Sequence, residues 1–274
     1  MGRSFHREPH PGVHEPGAGM SRRRFITTGG AGLLGLGAAA CVPDDSDLFG
    51  PQFDPAHLTI NRRAPTIEPQ MGISALGIDT VGRDGYMYVP DTYDPDVPAP
   101  LLLALHGRGM NVEGWQVFTS WCDQAGMILL APESRDRSWD LTITGRFGPD
   151  VIFLSLAIDH VIARCNIDSA RIGLMGISDG GTYALSLGAS NGDYFTHIIS
   201  VAPGFFSPGR ELRGSPLFWM AHGLSDTVFD EEYSHREILP ALRELEYIVQ
   251  YVQFDGGHEY PPAVQEQAME WFLP

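Results

Sequence analysis

The stretch Gly176-Ile177-Ser178-Asp179-Gly180 decides the fold of this chain. It lies between a mostly apolar run, 171–177, which predicts a strand, and residues 180–189, which predict a helix. A serine flanked by glycines on a strand-turn-helix is the pattern of a nucleophile elbow, where a strained backbone exposes the hydroxyl above a sheet. The N-terminus of the following helix points at that hydroxyl and favours developing negative charge there.

The alternation of strands and helices extends on both sides of the elbow. Two apolar runs, 101–105 and 127–131, are typical of strands buried on both faces. Further strands are predicted over 73–79, 86–89, 197–202, 217–221 and 248–254, and further helices over 113–125, 151–165, 235–246 and 264–272. This order predicts an α/β fold with a mostly parallel central sheet, helices on both faces and an antiparallel N-terminal hairpin. Functional side chains are then expected at the carboxyl ends of the strands.

A serine hydroxyl is a weak nucleophile, so it needs a general base that is itself held by an acid. With this kind of elbow, the chain order is serine, then an acid, then histidine. The histidines after Ser178 are His197, His222, His235 and His258. His258 follows the last predicted strand on a loop with two glycines, whereas the others lie in or next to predicted strands and helices. His258 is therefore the predicted base.

Asp226 is the predicted acid, because it follows the strand over 217–221 at its carboxyl end. Asp230 and Asp255 are the competing candidates. Asp230 begins an acidic run that is typical of a solvated face, and Asp255 is too close to His258 in sequence to come from a neighbouring strand. Asp226 is the best candidate of the three.

An oxyanion in this fold needs two backbone donors. The N–H of Asp179, directly after the nucleophile, is one. The other is assigned to Arg108, in the loop Leu105-His106-Gly107-Arg108-Gly109 after the first buried strand. His106 is expected to brace this loop by hydrogen bonding rather than to transfer protons.

The sequence carries few clues to the substrate. Trp139, Phe205 and Phe206 are candidates for an acyl or aryl pocket, although packing of their loops explains each equally well. No long insertion separates Ser178 from Asp226, so a large lid is not expected. Short soluble esters are therefore favoured over long-chain lipids.

Four motifs occur together in the order expected for one family: Leu105-His106-Gly107-x-Gly109, Gly176-x-Ser178-x-Gly180, His222-Gly223-x-x-Asp226 and Gly256-Gly257-His258. They resemble the phospholipase/carboxylesterase family of α/β-hydrolases, with its polyhydroxybutyrate-depolymerase-like and feruloyl-esterase-like relatives, over about residues 97–273. The resemblance implies the α/β-hydrolase fold and a serine esterase that forms an acyl-enzyme without a metal or organic cofactor.

The chain departs from that family at Asp179, where thioesterase-type members carry glutamine, and this weakens any expectation of thioesterase activity. Fold does not fix chemistry, so a polyester depolymerase or a peptidase on the same triad remains an alternative. A non-catalytic exported binding protein with this fold is another. The intact order of Ser178, Asp226 and His258 argues against it.

Residues 1–41 are expected to be an export signal. Ser21-Arg22-Arg23-Arg24-Phe25-Ile26 precedes a Gly/Ala-rich apolar run and resembles a twin-arginine signal, with Met20 as an alternative start that leaves 1–19 untranslated. The run is too short for a membrane span. It predicts export across a bacterial inner membrane to a secreted, periplasmic or lipid-anchored location. Cys41 is a candidate lipidation site and the only predicted membrane attachment, with simple cleavage as the alternative.

The remaining composition is that of one globular domain. The 274 residues predict a Pro-rich linker over 42–70 and a catalytic domain over 71–274. A net charge of −16, with no lysine, argues against nucleic acid as a partner. Cys122 and Cys165 fall in predicted helices, which favours small buried hydrophobes, although their pairing stays open.

Overall fold

The computed structural model describes residues 54–79 and 82–273, which contain one eight-stranded sheet. Its strands are β1 (Gly72–Ala75), β2 (Gly85–Val89), β3 (Ala99–Leu105), β4 (Ile128–Pro132), β5 (Ile167–Ile177), β6 (His197–Val201), β7 (Leu217–Gly223) and β8 (Val249–Phe254). The spatial order is β1-β2-β4-β3-β5-β6-β7-β8. Strand β2 pairs antiparallel with β1 and β4, and every other pairing is parallel. The predicted fold class, including the antiparallel N-terminal hairpin, is confirmed.

Helices cover both faces of the sheet. They are α1 (Thr119–Ala125), α2 (Asp140–Thr144), α3 (Pro149–Ile162), α4 (Asp179–Ser190), α5 (Leu239–Glu244) and α6 (Pro262–Phe272). A short turn of α-helix, Glu231–Tyr233, and a π-helical turn, Ser234–Ile238, lead into α5. Helix α2 has only five residues, so hydrophobic periodicity did not predict it.

The segment before α1 differs from the continuous α-helix predicted over 113–125. Val112–Phe118 is a 3-10 helix. Its buried residues, Val112, Trp115 and Phe118, recur every three positions, which matches the three residues per turn of a 3-10 helix. Trp115 and Phe118 pack in one apolar cluster with residues of β3 and β4.

The core is divided by the sheet into two apolar clusters. Along β3, Leu101, Leu103 and Leu105 face the cluster that contains α3 and α4, while the residues between them face the cluster that contains α1 and α6. Cys165 lies in the first cluster and Cys122 in the second, and both are free and buried. Burial raises the pKa of each thiol to about 12. The two cysteines are small core residues and do not form a disulfide.

Residues 54–70 contain no helix or strand, yet they lie against the domain. Ala56 is fully buried. The N–H of Leu58 donates to the side chain of Asn191 at 2.8 Å, and the N–H of Asn61 donates to Asp159 at 2.9 Å. This part of the predicted linker is therefore held along α3 and the end of α4.

The predicted export signal over 1–41, the candidate lipidation site Cys41 and residues 42–53 of the predicted linker lie outside the described residues. Within 54–79 and 82–273, no helix is long and apolar enough to cross a membrane. The boundaries of the predicted regions stay predictions.

His197, at the start of β6, packs against α6, and its burial makes the stability of the protein depend on pH. Its ring centroid lies 5.1 Å from that of Trp271 and 5.4 Å from that of Phe272. Burial, assisted by the charge of Arg171, lowers the pKa of His197 to about 4. Since this folded-state pKa is depressed below about 6.5 in the unfolded chain, its contribution to stability is present above pH 6.5 and is lost as pH falls toward 4.

Between pH 7 and pH 4.5 we therefore expect the wild type to lose about 2–3 kcal/mol more unfolding free energy than His197→Gln, whose side chain does not titrate. Urea unfolding of both proteins at several pH values measures this difference. Parallel pH profiles for the two proteins would show that His197 is not held neutral in the folded state.

Candidate active site

Ser178 occupies the sharp bend between β5 and α4. Its φ is +58° and its ψ is −122°, a strained conformation for a residue with a side chain. The flanking glycines are required by close packing. A Cβ on Gly176 would lie 2.2 Å from the carbonyl oxygen of Gly180, and one on Gly180 would lie 2.1 Å from that of Leu105. The bend thus depends on side-chain-free contact between the end of β3, the end of β5 and the start of α4.

The structure brings Ser178, His258 and Asp226 into one hydrogen-bonded row. His258 Nε2 lies 2.8 Å from Ser178 Oγ, and His258 Nδ1 lies 2.7 Å from Asp226 Oδ2. The three side chains follow β5, β7 and β8 at the same edge of the sheet. In the tautomer this network favours, Nδ1–H donates to the carboxylate and Nε2 accepts from the serine hydroxyl. The imidazole can therefore take the hydroxyl proton.

The carboxylate of Asp226 is fully buried and saturated with donors. Its Oδ1 accepts from the N–H groups of Val228 at 2.8 Å and Phe229 at 3.0 Å. Burial alone would raise the pKa of Asp226, but the hydrogen bonds from His258 and these two N–H groups outweigh it and lower the pKa overall. Asp226 is held ionised beside the imidazole.

His222 supports this acid, a role that sequence reasoning missed. It lies within β7, fully buried, with Nε2 3.1 Å from Asp226 Oδ2 and 3.0 Å from the carbonyl oxygen of Phe229. Its Nδ1 lies 2.8 Å from Ser234 Oγ, which can donate to it. Oδ2 of Asp226 thus receives an N–H from each of two histidines. The signal in the sequence is the spacing His222-Gly223-x-x-Asp226, which supports the resemblance but does not by itself assign His222 a contact with the acid.

The loop after β3 lies directly beside the nucleophile. A Cβ on Gly107 would come within 3.3 Å of the Cβ of Ser178. The N–H of Gly109 donates to the carbonyl of Arg137 at 2.8 Å, so it is already used. The N–H of Arg108 remains the candidate donor of this loop, and the N–H of Asp179 lies in the first turn of α4, where no carbonyl of the helix reaches it.

His106 braces this loop, as predicted. Its Nδ1 lies 2.8 Å from the carbonyl oxygen of Gly107, to which it donates, and its Nε2 accepts from the N–H of Ser134 at 3.1 Å. Burial lowers the pKa of His106, so the ring is neutral. It is a structural residue with both nitrogens occupied.

A cavity of about 430 Å³ opens at Ser178 and His258. Its wall is formed chiefly by the 3-10 helix and the loops on either side of the site. The apolar lining residues are Met110, Trp115, Val117, Phe118, Ile177 and Tyr260, with Asn111 and Gln265 among the polar ones. Aromatic rings therefore form one side of the space next to the nucleophile.

None of the three predicted pocket residues lines this cavity. Trp139 is fully buried, and its indole N–H donates to the carbonyl of His106 at 2.8 Å, so it belongs to the core. Phe205 and Phe206 are partly buried against the apolar cluster that contains α3 and α4. The cavity lies on the side of the 3-10 helix, whereas the three predicted residues lie on the loops after β4 and β6.

Among the described residues, no group of three or more His, Cys, Asp or Glu side chains could hold a metal ion.

No protein-family model matches the chain. It is 31% identical over 157 residues to a bifunctional acetylxylan esterase/xylanase of Neocallimastix patriciarum, covering 54% of this chain and 22% of that protein. It is 27% identical over 215 residues to a protein described as a probable feruloyl esterase C of Aspergillus flavus, covering 66% of this chain and 77% of that protein. The chain thus spans about a fifth of the first relative and about three quarters of the second.

The fold is shared with solved structures at low sequence identity. One is an S-formylglutathione hydrolase from Staphylococcus aureus, with a TM-score of 0.60 and 13% identity over 76% of this chain and all of that one. A second is the esterase PE8, with a TM-score of 0.56 and 19% identity over 73% of this chain and 98% of that one. These likenesses concern the architecture of the sheet and its helices.

Proposed function

We propose that this chain hydrolyses carboxylic esters through Ser178, His258 and Asp226. The chain has the α/β-hydrolase fold, and its relatives are named esterases. The observation that carries the proposal is the continuous hydrogen-bonded row of these residues, at 2.7 and 2.8 Å, at the mouth of a cavity. Three features support the proposal: a hydroxyl on a strained bend, a base within hydrogen-bonding distance of that hydroxyl, and a buried acid behind the base.

The proposed reaction has two halves. Ser178 Oγ attacks the ester carbonyl carbon while its proton passes to His258 Nε2, and Asp226 stabilises the imidazolium. The oxyanion accepts hydrogen bonds from the N–H groups of Arg108 and Asp179. His258 then returns the proton to the leaving alcohol oxygen. Water then attacks the acyl carbon while its proton passes to His258 Nε2, and the imidazolium returns that proton to Ser178 Oγ as the acyl–oxygen bond breaks and the acid leaves.

We assign the acyl group to the cavity beside the 3-10 helix. Trp115 and Tyr260 contribute aromatic rings at an inter-centroid distance of 6.5 Å, and Met110 adds an adaptable apolar edge. A flat aryl acyl group can pack against such rings, and a short alkyl group also fits a space of about 430 Å³. Short-chain and aryl esters are therefore the proposed substrates, consistent with the names of the relatives.

A panel of p-nitrophenyl acetate, butyrate and octanoate with methyl ferulate tests this function. We expect the highest kcat/KM on short-chain or aryl esters, and we expect a fluorophosphonate probe to add its phosphonyl mass to Ser178. Turnover confined to polyhydroxybutyrate or to peptides would reassign the triad to those substrates. If the protein neither turned over any of these substrates nor reacted with the probe, it would be a non-catalytic binding protein with this fold.

We also propose that the chain is exported, on the basis of the paired arginines ahead of the apolar run at 29–40. Mass spectrometry of the mature protein is expected to find an N-terminus at Cys41 or beyond. A full-length protein retained in the cytoplasm would contradict export, and a diacylglyceryl mass on Cys41 would distinguish anchoring from simple cleavage.

A further inference from the structure

The side chains of the two oxyanion residues also contact each other. Arg108 Nε lies 2.8 Å from Asp179 Oδ2. The same carboxylate oxygen accepts from Ser138 Oγ at 2.5 Å and lies 3.2 Å from Thr142 Oγ1. The side chain of Asp179 is 5% exposed, whereas that of Arg108 is 49% exposed. A buried carboxylate next to the nucleophile is thus held by one cation and two hydroxyls.

This carboxylate poses an electrostatic problem for ester hydrolysis. The tetrahedral oxyanion develops beside the N–H of Asp179, so its negative charge forms close to the charge of that residue's own side chain. Two like charges in a partly dry site repel each other strongly and slow the step that creates the second one. The positive charge of Arg108 on the same carboxylate opposes this repulsion.

The contact also has a geometric consequence. Arg108 lies on the loop after β3 and Asp179 begins α4, so the ion pair joins the two segments that supply the proposed donors. The segment before α2 contacts both of these segments. Ser138 donates to Asp179, and the carbonyl of Arg137 accepts from the N–H of Gly109 in the loop after β3. The spacing between the two donor N–H groups is therefore tied to the contact between the two side chains.

We propose that the Arg108–Asp179 ion pair is a positioning and charge-neutralising device for the oxyanion. It rests on the proposed ester hydrolysis, and it assigns to Arg108 a side-chain role besides its backbone N–H. The proposal has one distinctive consequence: the cost of removing the Arg108 guanidinium depends on the presence of the Asp179 carboxylate. Removing both groups should harm the enzyme less than removing the guanidinium alone.

Four variants and one control test this dependence with p-nitrophenyl acetate. We expect Arg108→Gln to lower kcat by about 10- to 100-fold with KM changed less than twofold, because the lost interaction strengthens in the transition state. Asp179→Asn should cost less than about fivefold, and Arg108→Gln/Asp179→Asn should recover to within about fivefold of the wild type. Arg108→Lys, which keeps the charge, should lose less than Arg108→Gln. Arg243→Gln, which removes an exposed positive charge on α5, should change kcat less than twofold.

Phenylboronic acid gives a second readout, since its boron bonds to Ser178 Oγ, the hydroxyl proton passes to His258 Nε2, and the boron becomes a tetrahedral anion. Its inhibition constant should rise by about the same factor as kcat falls in Arg108→Gln, and should recover in the double variant. A double variant as slow as or slower than Arg108→Gln would overturn the proposal, as would wild-type activity in Arg108→Gln. Circular dichroism confirms folding of each variant. A wild type without ester turnover would instead refute the proposed function.

Discussion

Replacing Ser178 by alanine is expected to lower kcat for p-nitrophenyl acetate by about 10⁴- to 10⁶-fold while leaving the protein folded. Without Oγ no acyl-enzyme forms, and the imidazole can only assist direct attack by water. The cavity and the two backbone donors remain, so KM should change little and some rate above that in water should persist. Steady-state kinetics on the two proteins, with far- and near-ultraviolet circular dichroism, measure this effect.

Ser225 provides the matched control. It is an exposed serine in the loop that carries the acid, and its backbone N–H makes the loop's contact with Gly256. Ser225→Ala should therefore keep kcat within twofold of the wild type. A loss of less than tenfold in Ser178→Ala, after exclusion of a contaminating esterase, would mean that another group attacks the ester.

Asp226→Asn is expected to lower kcat by about 10³- to 10⁴-fold. Oδ2 of Asp226 accepts from both His258 and His222, and Oδ1 accepts from two backbone N–H groups, so no position suits an amide NH₂. An NH₂ turned toward His258 forces the proton onto Nε2, and Nε2 then cannot accept from Ser178. The imidazolium formed in the reaction would also lose its buried counter-charge.

The two rejected acids supply the controls for this variant. Asp230 is exposed and caps the N–H of Glu232 at 3.0 Å, and Asp255 is exposed on the loop after β8. Asp230→Asn and Asp255→Asn should each keep kcat within twofold. If one of them lost as much activity as Asp226→Asn, the assignment of the acid would have to change.

The grouping of Ser178, His258 and Asp226 could be predicted because the chemistry proposed for them restricts both residue type and chain order. Once Ser178 lies on a strand-to-helix turn, the acid and the base must follow later strands of a parallel sheet, and few candidates satisfy this. The central strands β3 and β4 were predicted because buried parallel strands are continuous apolar runs. Residue types, their order and apolar runs are all properties of short stretches of the chain, so they can be recognised in the sequence alone.

The pocket and the supporting contacts could not be predicted in the same way. The 3-10 helix has too few residues for a period of three to be distinguished from one of 3.6, so the aromatic wall of the cavity was not anticipated. The supporting role of His222 depends on its contacts with Ser234 and Phe229, which lie on a later loop and helix. Arg108 pairs with a residue 71 positions away. The prolines before residue 70 indicated the lack of regular structure but not the contacts of that segment.

The 3-10 helix Val112–Phe118 has a consequence for how a chain with the proposed activity acquires new substrates. It borders the cavity, yet it belongs to no strand of the sheet and supplies no member of the triad. Val117, on this helix, and Met110, just before it, are each more than half exposed, whereas Gly176 and Gly180 admit no larger residue. In the proposed function, selectivity and chemistry are therefore encoded in separate stretches of the sequence, and mutational libraries aimed at new acyl groups belong at 110–117.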